Sequence, residues 1–278
     1  MDHLFIGLVL CSALLHAVWN AFLHVSEDRL AQLGTMSLPY LAFGIAGAWL
    51  LPAPERAAWP YVAASAALEV AYCFTLARAY RSGEFGQIYP IARGLSPLLV
   101  SVLAFAALHE RPTPFGFAGI VLVSFGIMSL ALRRGLKFSG ESVPYALLTG
   151  VFIAAYSICD GIGARVAGSA LGYVAWVYLL WSVPQILLVC AVRGGPRSVF
   201  GSRDAVRQGV VAGTISLVAY GIVVLAYRHL PVATVSALRE TSSIFAVAIG
   251  WFAMRERPGA QRLVACALVV AGAALIRL

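Results

Sequence analysis

The sequence predicts an all-α membrane protein of ten transmembrane helices, built from two inverted five-helix repeats. Of its 278 residues, 61% are hydrophobic and only 12% are charged, which is too little charge to cover the surface of a soluble domain. The apolar residues fall in blocks of roughly 20, the length at which a helix crosses the ~30 Å hydrocarbon layer. The chain also resembles itself when it is displaced by about half its length.

Ten apolar runs, bounded by charged residues, Pro and Gly, mark the candidate spans. They cover residues 4–24, 31–51, 59–80, 86–108, 115–132, 144–165, 171–192, 208–228, 233–253 and 260–276. The longest interruption, 193–207, is rich in Gly, Arg and Ser and is too short for a folded domain. No basic stretch precedes the first run, so we expect it to be a retained helix rather than a signal peptide.

The second half of the chain repeats features of the first. A displacement of 146 residues places LHERP at 108–112 on MRERP at 254–258. The same displacement superposes Arg93 on Arg239, Ser96 on Ser242 and Gly126 on Gly272. Five spans per copy is an odd number, so the second copy must enter the membrane from the opposite side. We therefore predict inverted repeats over 1–135 and 143–278, a recurring transporter design with the solute site where the halves meet.

The composition also limits the partners. Lys and Arg outnumber Asp and Glu by 20 to 12, but most basic residues lie in short segments between apolar runs, where they contact lipid head groups. We expect membrane lipid and a small-molecule solute as partners, no nucleic acid, and a monomer or a homodimer. The five cysteines lie inside apolar runs without a C-x-x-C spacing, so no metal or cofactor is predicted.

Five ionisable side chains fall well inside the predicted spans. Leaving one in lipid costs roughly 2.5 to 3.5 kcal/mol, and leaving all five there would cost on the order of 12 to 18 kcal/mol. That cost matches or exceeds the whole stability of a typical fold. We expect these side chains to face one another or a hydrated cavity: Glu69, Arg93, Asp160, Arg239 and Glu240.

The first, third, sixth and eighth spans are predicted to add uncharged polar and aromatic groups to this cavity. The residues are chosen by their spacing on one helix face, and they are His16, Trp19, Asn20, Tyr72, Tyr156 and Tyr220. His16 serves either as a group that exchanges protons or as a simple hydrogen-bond partner. Tyr227, near the end of the eighth span, is predicted to be an anchor at the membrane interface.

The fourth span places three polar side chains on one stripe. Tyr89, Arg93 and Ser96 occur at i, i+4 and i+7, a spacing that brings them to one helix face. Pro90 and Pro97 flank the arginine and can bend the helix there. This pattern favours a binding site on the fourth span.

The ninth span carries an arginine at the corresponding position. Arg239 has Glu240 beside it and Ser243 one turn on. Two guanidinium groups offer planar donor forks for carboxylate or phosphoryl oxygens, so an anionic or zwitterionic solute is predicted. The alternative is that Arg93 and Arg239 pair with buried carboxylates only to hold the halves together.

A proton-coupled carrier needs a carboxyl group inside the membrane that gains and loses a proton. Glu69 is the first candidate, with Asp160 and Glu240 behind it. The alternative for each is a permanent salt bridge to an arginine.

The Glu-Arg-Pro motif that closes the fourth and ninth spans, at 110–112 and 256–258, resembles the boundary motif of EamA-type domains in the drug/metabolite transporter superfamily. The resemblance covers essentially the whole chain. Three segments resemble a branch associated with phosphonate utilisation, namely HAVWN at 16–20, YPIARG at 89–94 and LRETS at 238–242.

This resemblance implies a multi-pass protein of the cell membrane, the inner membrane in a bacterium. It also implies a secondary carrier, often an exporter, of small polar metabolites, with spans one, three, four, six, eight and nine around the cavity. Substrate residues vary widely across the superfamily, so the resemblance names no solute.

Together these observations predict a secondary active transporter working by alternating access, with export as the expected direction and proton coupling as an option. The solute would be an anionic or zwitterionic metabolite such as an amino acid or an aminophosphonate. The alternatives are a facilitative channel and a structural membrane protein. An enzyme is disfavoured because the sequence has no H-E-x-x-H or G-x-S-x-G motif, and direct nucleotide-driven pumping because it has no Walker motif.

Overall fold

The computed structural model describes residues 2–82, 85–132, 142–253, 255 and 259–276. Over these ranges the chain is helical and has no strand, which confirms the all-α class. The second copy of the Glu-Arg-Pro motif, at 256–258, lies outside the described residues.

Twelve α-helices follow one another along the described chain. They are α1 (Asp2–Val25), α2 (Arg29–Leu50), α3 (Trp59–Ser82), α4 (Phe85–Leu108), α5 (Pro114–Met128), α6 (Ser142–Val166), α7 (Ala170–Arg193), α8 (Pro196–Phe200), α9 (Arg203–Ala226), α10 (Val232–Arg239), α11 (Ser242–Phe252) and α12 (Ala260–Leu275). Two short 3₁₀ turns, Arg56–Ala58 and Ser129–Leu132, precede α3 and follow α5.

Eight helical segments of the described chain are long and apolar enough to cross a membrane. They are α1, α2, most of α4, α5 with the start of its 3₁₀ extension, α6, α7, α9, and α10 taken together with α11. The helix α3 is 24 residues long but is less apolar because it carries Glu69, Arg78 and Arg81, and α12 is shorter at 16 residues. Counting these two, each of the ten predicted spans has a helical counterpart.

The main helix contacts between the two halves of the chain have counterparts in which the corresponding helices of the other half take part. The helix α3 packs against α6, and its counterpart α9 packs against α1. Likewise α4 packs against α6, while α10 and α11 pack against α1. The pairs α2 with α7 and α5 with α12 join corresponding helices. Two related repeats would give this pairing; the division at 1–135 and 143–278 stays a prediction.

Glycines allow the closest approaches between helices. A Cβ added to Gly119 of α5 would lie 2.5 Å from the carbonyl oxygen of Gly272 in α12, and the reverse addition would give 2.7 Å. Gly209 and Gly213 of α9 meet Thr35 and the Met36 backbone of α2 in the same way. Small residues at these positions therefore bring backbones together within the chain.

One end of the bundle is closed by a network around Arg165, at the end of α6. The guanidinium donates from Nε to the Tyr227 carbonyl at 2.8 Å and from Nη2 to the Leu230 carbonyl at 3.1 Å. It also pairs with Glu110 at 2.7 Å, and the second Glu110 oxygen accepts the Val232 N–H at 2.8 Å. These contacts tie α6 to the residues after α4 and to the α9–α10 connection, and we call this the latched end.

The opposite end of the bundle lies where α1 leads into α2. Asp28 caps the start of α2 and forms an ion pair with Arg193 at the end of α7. Tyr227 belongs to the latched end and is fully buried, so its prediction as an interface anchor is wrong. The ring packs in a core formed by the ends of several helices instead of meeting lipid head groups.

Candidate functional site

A cavity lies inside the bundle, between the two halves of the chain. The space open to the centre of a water-sized sphere is about 80 Å³, and one water needs ~10–15 Å³ of such space, so the cavity holds about five to eight water-sized groups. Its lining comes from α1, α2, α3, α4, α6, α7, α9 and α10.

Eight of the sequence-predicted site residues line this cavity. They are His16, Trp19, Glu69, Tyr72, Arg93, Tyr156, Tyr220 and Arg239. Arg93 and Arg239, which the repeat places at corresponding positions, therefore meet at one cavity. The other six predicted residues lie outside the lining.

Among the described residues, three of those six make hydrogen bonds only to nearby backbone carbonyls. Asn20, Ser96 and Ser243 each donate to a backbone carbonyl three or four residues earlier in the chain, at 2.8, 3.4 and 2.8 Å. The Tyr89 ring centroid lies 6.0 Å from the guanidinium carbon of Arg93. These side chains surround the cavity walls rather than form them.

The two arginines have different surroundings. Arg93 forms a two-point ion pair with Glu240, at 2.8 Å between Nη2 and Oε1 and 3.2 Å between Nε and Oε2. Both side chains are nearly inaccessible, at 7% and 4% exposure. The guanidinium carbon of Arg239 lies 5.3 Å from the Tyr220 ring centroid, and in the part of the chain that the structure describes Arg239 forms no ion pair.

The α-helical hydrogen bonding of the ninth span is interrupted at the cavity, although Glu240 and Thr241 keep right-handed helical backbone angles. The helix α10 ends at Arg239 and α11 begins at Ser242. The N–H groups of Glu240 and Thr241 each donate to a carbonyl three residues earlier, at 3.1 Å, which tightens the backbone into a 3₁₀-like turn. The sequence predicted a regular helix over 233–253, without this turn. In the fourth span α4 runs through Pro90 and Pro97 as one helix, and the bend there stays a prediction.

This turn separates the roles of two neighbouring residues. Arg239 faces the cavity, whereas Glu240 is bound to Arg93 on α4. A short 3₁₀ stretch inside a helix often marks a functional position. The hydroxyl of Thr241 donates to the Leu238 carbonyl at 2.7 Å, so the irregular backbone keeps its polar groups satisfied.

The two remaining carboxylates also differ. Asp160 accepts hydrogen bonds from the hydroxyls of Tyr173, at 2.8 Å, and Tyr220. It lies behind Tyr220 in a second, smaller cavity. Glu69 lines the main cavity and is 4% exposed, and no hydrogen bond or ion pair to another described residue involves it. A permanent salt bridge from Glu69 to an arginine is therefore absent from the described chain.

Comparison with known proteins gives the family. Residues 141–278 match the model of the EamA-like transporter family. The second half of the chain belongs to this family. This match indicates a membrane transporter of the drug/metabolite superfamily, and the sequence resemblance and the multi-pass membrane location are confirmed. The resemblance to the phosphonate-associated branch stays a prediction.

The similarity in fold to a solved protein extends over nearly the whole chain. A solved crystal structure superposes with a TM-score of 0.76 at 22% sequence identity, covering 99% of this chain and 95% of the other. At this identity the likeness concerns the fold alone. No curated protein matches the sequence.

The cavity of this EamA-like protein has more walls than the sequence predicted. The resemblance implied six helices around it, and α2 and α7 contribute as well. Tyr40 of α2 stacks on Tyr178 and Trp181 of α7, with centroids 5.0 and 5.1 Å apart. Gln185 donates to the Leu33 carbonyl at 3.2 Å. The i, i+3, i+7 spacing of Tyr178, Trp181 and Gln185 is the sequence signal that could have found the α7 wall.

A row of aromatic rings forms another wall. Tyr72, Tyr156 and Tyr220 meet edge to face, with successive centroids 6.0 Å apart, and the row ends at Arg239. His16 stands edge-on to Trp19 at 4.8 Å. No group of three or more His, Cys, Asp or Glu side chains suited to a metal ion occurs in the described ranges. The cavity thus combines apolar ring faces with a few charged groups, which is typical of small-molecule sites.

Proposed function

We propose that this EamA-like protein is a secondary transporter that moves a small solute with a negatively charged group across the cell membrane by alternating access. The observation that carries the proposal is Arg239, a buried guanidinium beside the 3₁₀-like turn of the ninth span, which lines the central cavity without a carboxylate partner in the described chain. An unpaired buried charge is costly. A carboxylate or phosphoryl group entering the cavity would supply the missing partner.

The ion pair between Arg93 and Glu240 supports this role for Arg239. Glu240 follows Arg239 directly in sequence and is a carboxylate that could neutralise it. Because Glu240 is bound at two points by Arg93, the charge of Arg239 stays available. We therefore assign Arg93 and Glu240 a positioning role and Arg239 the contact with the solute.

The shape of the cavity favours a carrier over a channel. Toward the latched end it is backed by Val223, Tyr227, Val232 and Val235, each at most 1% exposed. The lining residues of α1 lie mainly in its second half and those of α2 in its first half, so the cavity lies nearer the opposite end. A site that is sealed at one end and approached from the other corresponds to one state of an alternating-access cycle.

Counterflow in liposomes tests the proposal. Purified protein is reconstituted in vesicles loaded with one unlabelled member of a panel of amino acids, aminophosphonates and organic acids, and uptake of the labelled compound is measured. We expect saturable uptake that is accelerated by the same compound inside. Arg239→Gln should abolish it, whereas Arg203→Gln, on the exposed start of α9, should leave it unchanged.

Two results would replace the proposal with its alternatives. Flux that rises linearly with concentration and shows no counterflow would indicate a facilitative channel. Absence of flux for every compound in the panel would favour a structural membrane protein. The resemblance to a superfamily rich in exporters supports export as the direction, and vesicles of known protein orientation would test it.

A further inference from the structure

The cavity contains one cation and one anion that have no charged partner among the described side chains. Arg93 and Glu240 neutralise each other, and Asp160 is held by two tyrosine hydroxyls behind the cavity wall. Arg239 and Glu69 remain, both lining the cavity and only 6% and 4% exposed. Two opposite buried charges would ordinarily pair with each other.

Arg239 and Glu69 nevertheless do not form an ion pair. Both side chains line the same cavity, yet no nitrogen–oxygen contact of salt-bridge length joins them. A separated pair of opposite charges inside one cavity is complementary to a molecule that carries both charges itself. The arrangement matches a zwitterion better than a simple anion, which would leave Glu69 without a partner.

We propose that the transported solute is a compact zwitterion, whose anionic group binds Arg239 and whose ammonium group binds Glu69. This inference rests on the proposed function and adds the second contact. An ammonium group has three N–H donors for carboxylate and hydroxyl oxygens, and a cation near Glu69 also meets the tyrosine row that begins at Tyr72, which lines the same cavity. Glu69 then acts in solute recognition, where the sequence had suggested proton coupling.

The volume of the cavity limits the size of the zwitterion. Room for about five to eight water-sized groups, from a volume of about 80 Å³, suits an α-amino acid with a small side chain or an aminophosphonate of similar size. The indole N–H of Trp19 is buried without an acceptor in the described chain, and it lines the same cavity. A hydroxyl or a phosphonate oxygen on the solute would satisfy this donor.

A matched set of ligands tests the contributions of the anionic group and the ammonium group of the solute separately. L-alanine, propionate and ethylamine share a two-carbon unit but carry both charges, only the anion, or only the cation. 1-Aminoethylphosphonate has a phosphonate in place of the carboxylate of L-alanine. Binding to the purified full-length protein is measured by calorimetry and by competition in the counterflow assay. We expect L-alanine or 1-aminoethylphosphonate to bind on the order of 10²-fold or more tightly than propionate or ethylamine, because a truncated ligand leaves a buried charge unpaired.

Two variants should each remove the preference for L-alanine over one of the singly charged ligands. Glu69→Gln keeps the shape of the side chain but removes its charge, so propionate should bind as well as L-alanine. In Arg239→Gln, ethylamine should bind as well as L-alanine. Glu27→Gln, an identical substitution on an exposed loop, should leave the discrimination unchanged, and circular dichroism with size-exclusion chromatography confirms that each variant is folded.

The outcomes distinguish this inference from the proposed function. If propionate binds wild-type protein as tightly as L-alanine, or if Glu69→Gln retains the discrimination, Glu69 does not hold an ammonium group. If no zwitterion of the set binds while an organic acid shows Arg239-dependent counterflow, the inference of a zwitterionic solute is wrong, but the proposal of a secondary transporter is retained. Loss of proton-driven uptake in Glu69→Gln with unchanged ligand preference would return Glu69 to a coupling role and overturn the inference.

Discussion

Replacing Arg93 by glutamine should destabilise the protein far more than replacing Arg239. The Arg93–Glu240 pair is 2.8 Å long and its side chains are 7% and 4% exposed, so Arg93→Gln leaves a buried carboxylate without its cation. Removing one partner of such a pair costs about 3–5 kcal/mol. Arg239 has no carboxylate partner in the described chain, so Arg239→Gln removes an uncompensated charge and should cost less than ~1 kcal/mol or stabilise the fold.

A double-mutant cycle measures this difference. The free energy of unfolding is obtained by titrating a denaturing detergent into mixed lipid–detergent micelles, for wild type, Arg93→Gln, Glu240→Gln and the double variant. The double variant should regain most of the loss, because two neutral amides replace two charges, and the coupling energy should exceed ~2 kcal/mol. Equal losses for Arg93→Gln and Arg239→Gln, or losses that simply add, would refute the assignment of Arg93 to positioning.

Three further predictions concern other parts of the bundle. Glu110→Gln weakens the pair with Arg165 and should increase labelling of a Tyr227→Cys probe by a membrane-impermeant maleimide several-fold, because the latched end opens more often. Tyr220→Phe loses only the hydroxyl bond to Asp160 and should weaken solute binding about tenfold, whereas Tyr220→Ala, which also loses the ring beside Arg239, should weaken it more. Gly272→Ala should destabilise the fold by about 1–3 kcal/mol, since its Cβ would lie 2.7 Å from a carbonyl oxygen, while Gly7→Ala should not, since nothing lies within 4 Å.

Each of these predictions has an outcome that contradicts it. Unchanged labelling in Glu110→Gln would show that the Arg165 network does not close its end of the bundle. Equal binding losses for the two Tyr220 variants would place the whole effect in the hydroxyl group. A Gly272→Ala protein as stable as Gly7→Ala would mean that α5 and α12 separate at no cost.

Much of the fold could be predicted because lipid imposes strict conditions on the sequence. Long apolar runs must be helices, so each predicted span has a helical counterpart. The burial of the five charged residues in the spans followed from the cost of exposing a charge to acyl chains. The contact of Arg93 and Arg239 with one cavity followed from the repeat.

The pairing within the cavity could not be predicted. Arg239 and Glu240 are adjacent in sequence, and hydropathy and spacing do not tell which neighbour faces the cavity and which faces α4. That choice depends on the 3₁₀-like turn after Arg239, which contains no Pro or Gly. Its only local sign is the run Thr241-Ser242-Ser243, whose hydroxyls can compete for backbone carbonyls. The α2 wall was missed because Tyr40 is the single tyrosine of α2 and no second aromatic hydroxyl marks that face of the helix.

Because of the turn in the ninth span, the protein should tolerate substitutions at this turn better than substitutions at the close helix contacts. Close glycine contacts hold the outer helices in register, so substitutions there disturb the whole bundle. At the turn after Arg239 the chain is already irregular, and a new side chain there alters the chemistry of the cavity without dismantling a regular helix. If the proposed function holds, substitutions at this turn should therefore change the preferred solute while the surrounding helices stay as they are.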